Sequence, residues 1–166
     1  MKKVFLFAAL LFAGIGSLQA QGEFRAGLSG GIPIGDSGDF ATFAIAVDLG
    51  YLLEISDEFD AGVTTGYTHT FGDEVTIAGV TFEVDDDQFI PIAASGRFEV
   101  APNFTLGADV GYAIGINDGN DGGFYYSPRA PYSVSEAIDI VAAYRGVSVN
   151  GGSWDVISAG VEFGID

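Results

Sequence analysis

The 166-residue chain has no cysteine, one histidine, one tryptophan and only six Lys and Arg against 23 Asp and Glu. Each scarcity removes a class of function. Without cysteine there is no disulfide framework, no thiol nucleophile and no thiolate metal site. With a formal net charge of −17, a nucleic-acid partner is excluded, because phosphate recognition rests on Lys and Arg. One histidine cannot build an imidazole metal centre, and no cofactor or resident metal is expected. Beyond residue 20 no apolar run reaches the eighteen or more residues that a membrane-crossing helix needs.

What is present begins with an export signature. Lys2 and Lys3 precede an uncharged apolar run from Val4 to Ile15, followed by Ser17-Leu18-Gln19-Ala20. The run is too short to span a bilayer, and the small residues offer a cleavage site. Residues 1–20 therefore read as a signal peptide cut after Ala20, and residues 21–166 as the mature domain. Loss of Lys2 and Lys3 leaves Arg25, Arg97, Arg129 and Arg145 as the only strong cations.

The mature chain is organised by a period of two. From Phe104 to Ile116 the even positions are Phe104, Leu106, Ala108, Val110, Tyr112, Ile114 and Ile116, while the odd ones are Thr, Gly, Asp, Gly, Ala and Gly. Only a strand presents those two sets as separate faces. The pattern recurs at Phe24–Ile34, Phe43–Leu53, Phe59–Phe71, Ile90–Val100, Phe124–Val134, Ile138–Tyr144 and Ile157–Ile165, which predicts eight strands. The connectors Glu54–Glu58, Ala101–Asn103 and Ser133–Ala137 are short. Asp36–Asp39, Gly72–Gln88, Asn117–Gly123 and Gly146–Trp154 are mostly longer and rich in turn residues. Short turns on one rim and longer loops on the other predict an all-β, eight-stranded antiparallel up-and-down transmembrane barrel. Both termini then lie on the short-turn side, in the periplasm. Val75–Ile77 and Val80–Val84 around Ala78-Gly79 suggest a small hairpin within the longest loop.

A soluble, lipocalin-like barrel also alternates, with its apolar face inward. The other face decides between the two. Here it carries Gly, Ala, Ser and Thr, together with all four Arg and with Asp48, Asp60, Glu99, Asp109, Asp139 and Glu162. The apolar face is free of Asp, Glu, Lys and Arg within the strands as delimited above. An ion facing lipid at the midplane costs about 2–4 kcal/mol for Arg or Lys, whereas inside a narrow lumen Arg can pair bidentately with carboxylates. The charged face is thus expected inside, as an Arg–carboxylate network. Arg25 is expected to meet Glu162 and Asp48, and Arg97 and Arg129 to share Asp109. Phe24, Tyr51, Phe59, Phe98, Phe104, Tyr132 and Phe163 fall at the short-turn ends of their strands, where an interfacial aromatic girdle belongs.

The last third of the chain carries a more specific likeness. Gly123-Phe124-Tyr125-Tyr126-Ser127-Pro128-Arg129, then Ala143-Tyr144-Arg145-Gly146, Val149-Asn150-Gly151-Gly152-Ser153 and Ala159-Gly160-Val161-Glu162-Phe163 resemble the small outer-membrane β-barrel proteins of the OmpA/OmpX-like kind. The resemblance implies an outer-membrane barrel, inserted by the barrel-assembly machinery and surrounded by outer-membrane lipid and lipopolysaccharide, without catalytic activity and with a structural, anchoring or surface-interaction role. It departs from that family's terminal aromatic: Gly164-Ile165-Asp166 follows Phe163.

Catalytic signals are weak. His69 falls on the outward face with no outward Ser or carboxylate expected beside it, so a lipid-directed hydrolase lacks its partners. Asp118-x-Asn120 opens like a calcium loop, but Arg129 stands where the closing Glu belongs. The acidic stretches Asp85-Asp86-Asp87 and Asp118 to Asp121 leave open a divalent cation bridging the loops to lipopolysaccharide phosphates. Gly27-x-x-Gly30-Gly31 and Gly107–Gly115 follow strand alternation rather than phosphate-loop geometry. The expectation is a monomeric membrane barrel, with a narrow pore for ions or small solutes as the alternative and a soluble ligand-binding barrel behind it.

Overall fold

The computed structural model describes residues 22–77, 79–149 and 151–165; the proposed signal peptide and its cleavage site lie outside them. Ten strands follow in chain order: β1 (Gly22–Ile34), β2 (Ala41–Ser56), β3 (Phe59–Gly72), β4 (Glu74–Ile77), β5 (Val80–Glu83), β6 (Asp87–Ala101), β7 (Phe104–Gly115), β8 (Gly123–Ser135), β9 (Ile138–Val149) and β10 (Gly152–Ile165). A 3-10 turn, Gly35–Asp39, joins β1 to β2. Eight strands close into a barrel in the order β1-β10-β9-β8-β7-β6-β3-β2, every neighbour antiparallel. The remaining two, β4 and β5, pair as the hairpin in the longest loop. Closure leaves no unpaired edge, which is the condition for crossing lipid with strands.

The short-turn rim is tight. Asp57-Glu58, Pro102-Asn103 and Glu136-Ala137 separate the paired strands, and Asn103 takes the left-handed backbone (φ 64°) that lets so short a turn close. Three strand irregularities sit on this rim, at Glu54/Ser56, Glu99/Ala101 and Ser133/Ser135. Bulges are common at barrel rims because the extra residue ends the regular pairing.

Alternation has the consequence expected of it. Leu28, Val63, Ile92, Val110 and Ile157, each on a different strand, are exposed, and they belong to an apolar belt that runs round the barrel. Their inward neighbours Arg97, Asp109, Arg129, Asp139, Arg145 and Glu162 are buried at 3–6% exposure. A contiguous exposed apolar belt marks a membrane or partner surface, and one that runs round a closed barrel matches the lipid-facing band of a transmembrane barrel.

One loop differs from expectation. Gly146–Trp154 is mostly strand: β9 continues to Val149 and β10 begins at Gly152, with Gly151 at φ 95° in the turn. The inward positions here are Val147, Trp154 and Val156, all buried. A polar-inside, apolar-outside rule misreads a stretch whose inward face is apolar and whose outward residues are Gly146, Ser148, Ser153 and Asp155. The shift also brings Asp155 into β10 on the outer face, against the expectation that no charge falls there. It sits at the loop-side rim, where the Tyr126 hydroxyl donates to it at 3.3 Å, Ser153 Oγ also donates, and its backbone N–H donates to Ser37 Oγ at 3.0 Å.

Candidate functional site: a layered lumen and an acidic mouth

The lumen has two layers. In the layer towards the short turns, Arg97 Nη1 donates to Asp109 Oδ1 at 2.9 Å and Arg129 Nη1 lies 3.3 Å from Asp109 Oδ2. Arg129 Nη2 pairs with Glu162, whose other oxygen is 3.6 Å from Arg25 Nη1. Arg25 also pairs with Asp139 and, at 2.9 Å, with Glu23. Charges therefore alternate in one connected chain from Arg97 on β6 to Arg25 on β1. Asp48 is not part of it. It takes both terminal nitrogens of Arg145, at 3.0 and 2.5 Å, while Arg145 also donates to Ser29 and Ser158 at 3.2 Å each.

Of the ten sequence-derived residues, eight are in ion pairs: six in this connected chain, and Asp48 with Arg145 apart from it. The Arg25–Asp48 pairing is replaced: Asp48 lies beside Gly27 in the register, two positions further into the barrel than Arg25. Asp60 and Glu99 make no ion pair among the described residues. Glu99 stands at the bulge that ends β6 and is exposed, the irregularity having taken it out of the inward series. Glu23, outside the strand limits read from the sequence, also pairs with Arg25. Its signal is parity, since Glu23 and Arg25 share a face once β1 is extended to Gly22.

The layer towards the loops is apolar. Ala44, Phe89, Ala93, Ala113, Tyr125, Val147, Trp154 and Val156 form a buried cluster, with the Phe89 and Trp154 rings 5.1 Å apart. Above it the barrel opens into a cavity of about 520 Å³, whose walls include Asp36, Asp39, Asp85, Asp87 and Asp121. Below it, the space left beside Arg129 and Arg145 is about 10 Å³.

On the outer surface, the seven predicted short-turn aromatics stand at that rim. Phe24 packs on Tyr51 with ring centroids 4.7 Å apart, Phe59 lies opposite Phe98, Phe104 opposite Tyr132, and Phe163 opposite Ile138. Six are exposed and Phe104 is half-buried. A second aromatic series, not anticipated, follows the loop-side ends. Phe43 lies opposite Phe71, Tyr112 opposite Phe124, and Tyr126 stacks between Phe124 (6.2 Å) and Tyr144 (6.0 Å). Gly146 makes room for the Tyr126 ring; an added Cβ would approach its Cζ to 2.3 Å.

His69 belongs to this loop-side rim, and here the structure corrects the expectation of an isolated imidazole. Asp86, on the segment returning from the β4–β5 hairpin, places Oδ2 2.9 Å from His69 Nε2. The Tyr67 hydroxyl is 3.0 Å from His69 Nδ1 and donates to Gln88 Oε1 at 3.0 Å. The Gly72 N–H donates to Asp86 Oδ1, and this bond, with that from His69, holds the Asp86 carboxyl below its ordinary range. Asp86, His69 and Tyr67 form a carboxylate–imidazole–phenol series. Mechanically, these contacts tie β3 to the start of β6 and to the loop between them.

Comparison with known proteins follows the fold. The backbone resembles the outer-membrane protein Ail of Yersinia pestis (TM-score 0.59, 14% identity, covering 87% of this chain and 100% of Ail). It also resembles the N-terminal barrel of OprF from Pseudomonas aeruginosa (TM-score 0.53, 15%, 89% and 100%) and Neisserial surface protein A (TM-score 0.52, 18%, 88% and 99%). At such identities the likeness is one of fold. No curated protein matches the chain. Residues 5–164 match the family described as outer membrane protein beta-barrel domain, and the chain belongs to that family.

Proposed function

We propose that this outer-membrane barrel is a closed anchor that presents an acidic loop surface to the cell exterior, and that it is not a conduit. The observation that carries the reading is the filled lumen. Arg97, Asp109, Arg129, Asp139, Arg145 and Glu162 are all buried within the lumen, the pocket beside Arg129 and Arg145 measures about 10 Å³, around the least that holds one water, and Phe89 packs on Trp154 in the apolar layer above. Two aromatic rims, one at each end of the apolar belt, fit a barrel seated between two headgroup layers. On this reading the signal peptide is removed after Ala20, the barrel-assembly machinery inserts the chain, both termini face the periplasm, and the monomer contacts lipid and lipopolysaccharide directly. The Tyr67–His69–Asp86 series serves as a latch for the long loop, and no catalytic step or cofactor is needed.

The charge at the mouth limits the partner. Ail of Yersinia pestis has been solved with sucrose octasulfate, a heparin analogue. A mouth ringed by Asp36, Asp39, Asp85, Asp87 and Asp121 repels such a polyanion and attracts cations. Planar-bilayer recording of the refolded protein tests closure. A baseline without sustained steps is expected; a steady, ion-selective conductance would favour the pore and overturn the anchor.

A further inference from the structure

The loop-side cavity holds more than negative charge. We propose that it binds a small polyhydroxylated amine, of the amino-sugar class. At about 520 Å³ it lies within the size range of small-molecule sites, and none of its lining residues is Lys, Arg or His. Its five aspartates are dispersed round the mouth. Among the described residues, no three His, Cys, Asp or Glu converge as metal ligands. Dispersed carboxylates suit several separated ammonium groups better than one metal ion, which requires clustered oxygens at bonding distance.

The floor supplies the second and independent indication. Two inward-facing residues there, Thr70 at 1% and Trp154 at 4% exposure, carry polar atoms without a hydrogen-bond partner, Oγ1 and Nε1 respectively. Buried polar atoms are rarely left unpaired, because each costs the desolvation it has suffered. Val147 and Val156 in the surrounding cluster offer no polar side chain and the Tyr125 hydroxyl partners neither atom, which leaves the mouth as the side from which a partner can reach them. An ammonium group cannot satisfy Trp154, whose indole N–H needs an acceptor. A hydroxyl or ring oxygen can, and a hydroxyl can also partner Thr70. The tilted Phe89–Trp154 pair adds an apolar surface on which the C–H face of a sugar ring can lie, with a nearby ammonium attracted to the indole face. Amine, hydroxyl and apolar ring face together describe an amino sugar.

The chain's single tryptophan stands at this floor, so its emission reports occupancy without a label. The full mature chain, refolded in detergent at low ionic strength, is titrated with the β-1,4-linked glucosamine disaccharide. In parallel it is titrated with the N,N′-diacetylated form, spermidine and calcium chloride. A saturable change with the amine disaccharide alone is expected. Asp87→Asn combined with Asp121→Asn should weaken it about tenfold, as loss of two charge contacts implies. Thr70→Val should weaken it severalfold without lowering the barrel's thermal stability, since the orphaned hydroxyl is removed; a merely structural Thr70 would leave binding unchanged. An equal response to the diacetylated sugar would remove the role of charge. An equal response to spermidine would remove the role of hydroxyls. Tighter binding of calcium would make the mouth a cation site, and no saturable response would end the proposal. Conductance is independent of these arms, so a leaking lumen would sink the closed-anchor reading and leave the titration standing.

Discussion

Replacing Arg129 by methionine is expected to destabilise the barrel by about 3–5 kcal/mol, the usual cost of removing one partner from a buried ion pair. Arg129 links Asp109 to Glu162, and all three side chains are nearly sealed from solvent. Methionine fills much of the volume but leaves the buried carboxylates of Asp109 and Glu162 without the cation between them. Arg97 still reaches Asp109 and Arg25 still reaches Glu162, which keeps the loss towards the lower end of that range. Arg129→Met together with Glu162→Gln should recover part of it, because the uncompensated charge goes with the partner. Urea unfolding in lipid vesicles, read by the mobility difference between folded and unfolded barrel on unheated gels, measures both. A loss below about 1 kcal/mol would mean that the guanidinium is solvated and that the ion-pair layer is open to water.

The second large effect lies on the other side of the same wall. Val110 is midway along β7 on the apolar belt, one residue from Asp109. Val110→Arg should cost about 2–4 kcal/mol in a bilayer, as expected for Arg at the midplane of a barrel's lipid face. The same substitution at Phe98 or Phe104, near the short-turn rim, should cost about 1 kcal/mol or less of that depth-dependent penalty, since the guanidinium reaches the headgroups. The depth dependence carries the argument. Equal costs at both depths would point to lost packing rather than to lipid.

These two substitutions rest on parity, and parity was the part of the structure most legible in the sequence. From Phe104 to Ile116 it separates Asp109 from Val110 without ambiguity, and the other strands inherit their orientation by the same rule. The shared use of Asp109 by Arg97 and Arg129 follows from strand adjacency, because β7 lies between β6 and β8. Legibility ended where the period-two signal lost contrast or where partners came from outside the strands. Val147, Trp154 and Val156 face inward while Gly146, Ser148, Ser153 and Asp155 face outward, so the pattern inverts here and the stretch reads as loop. Glu99 kept its parity in the sequence but lost it at a bulge, which no residue pattern there announces. Adjacency alone pairs Arg25 with Asp48, whereas stagger between strands takes Asp48 to Arg145 and brings Asp139 to Arg25. His69 looked solitary because Asp86 is 17 positions away, on a loop whose return path only the fold defines. The unpartnered atoms of Thr70 and Trp154 belong to the same category: the sequence presents Thr70 as an ordinary strand position and Trp154 as the end of a loop, and only the barrel places both under an acidic mouth.

The most direct test of the account asks which face of β7 meets lipid. The chain has no cysteine, so Val110→Cys and, separately, Ala113→Cys each give a single attachment point. The outward position is labelled with an environment-sensitive fluorophore after refolding into vesicles of brominated lipid; the inward one is exposed to the same reagent. The label at 110 is predicted to emit at short wavelength and to be strongly quenched by the bromines, while position 113, fully buried inside the lumen, is predicted not to react until the barrel is unfolded. Ready labelling at 113 with an unquenched, water-like emission at 110 would contradict the account, because the barrel's apolar face would then not be in lipid.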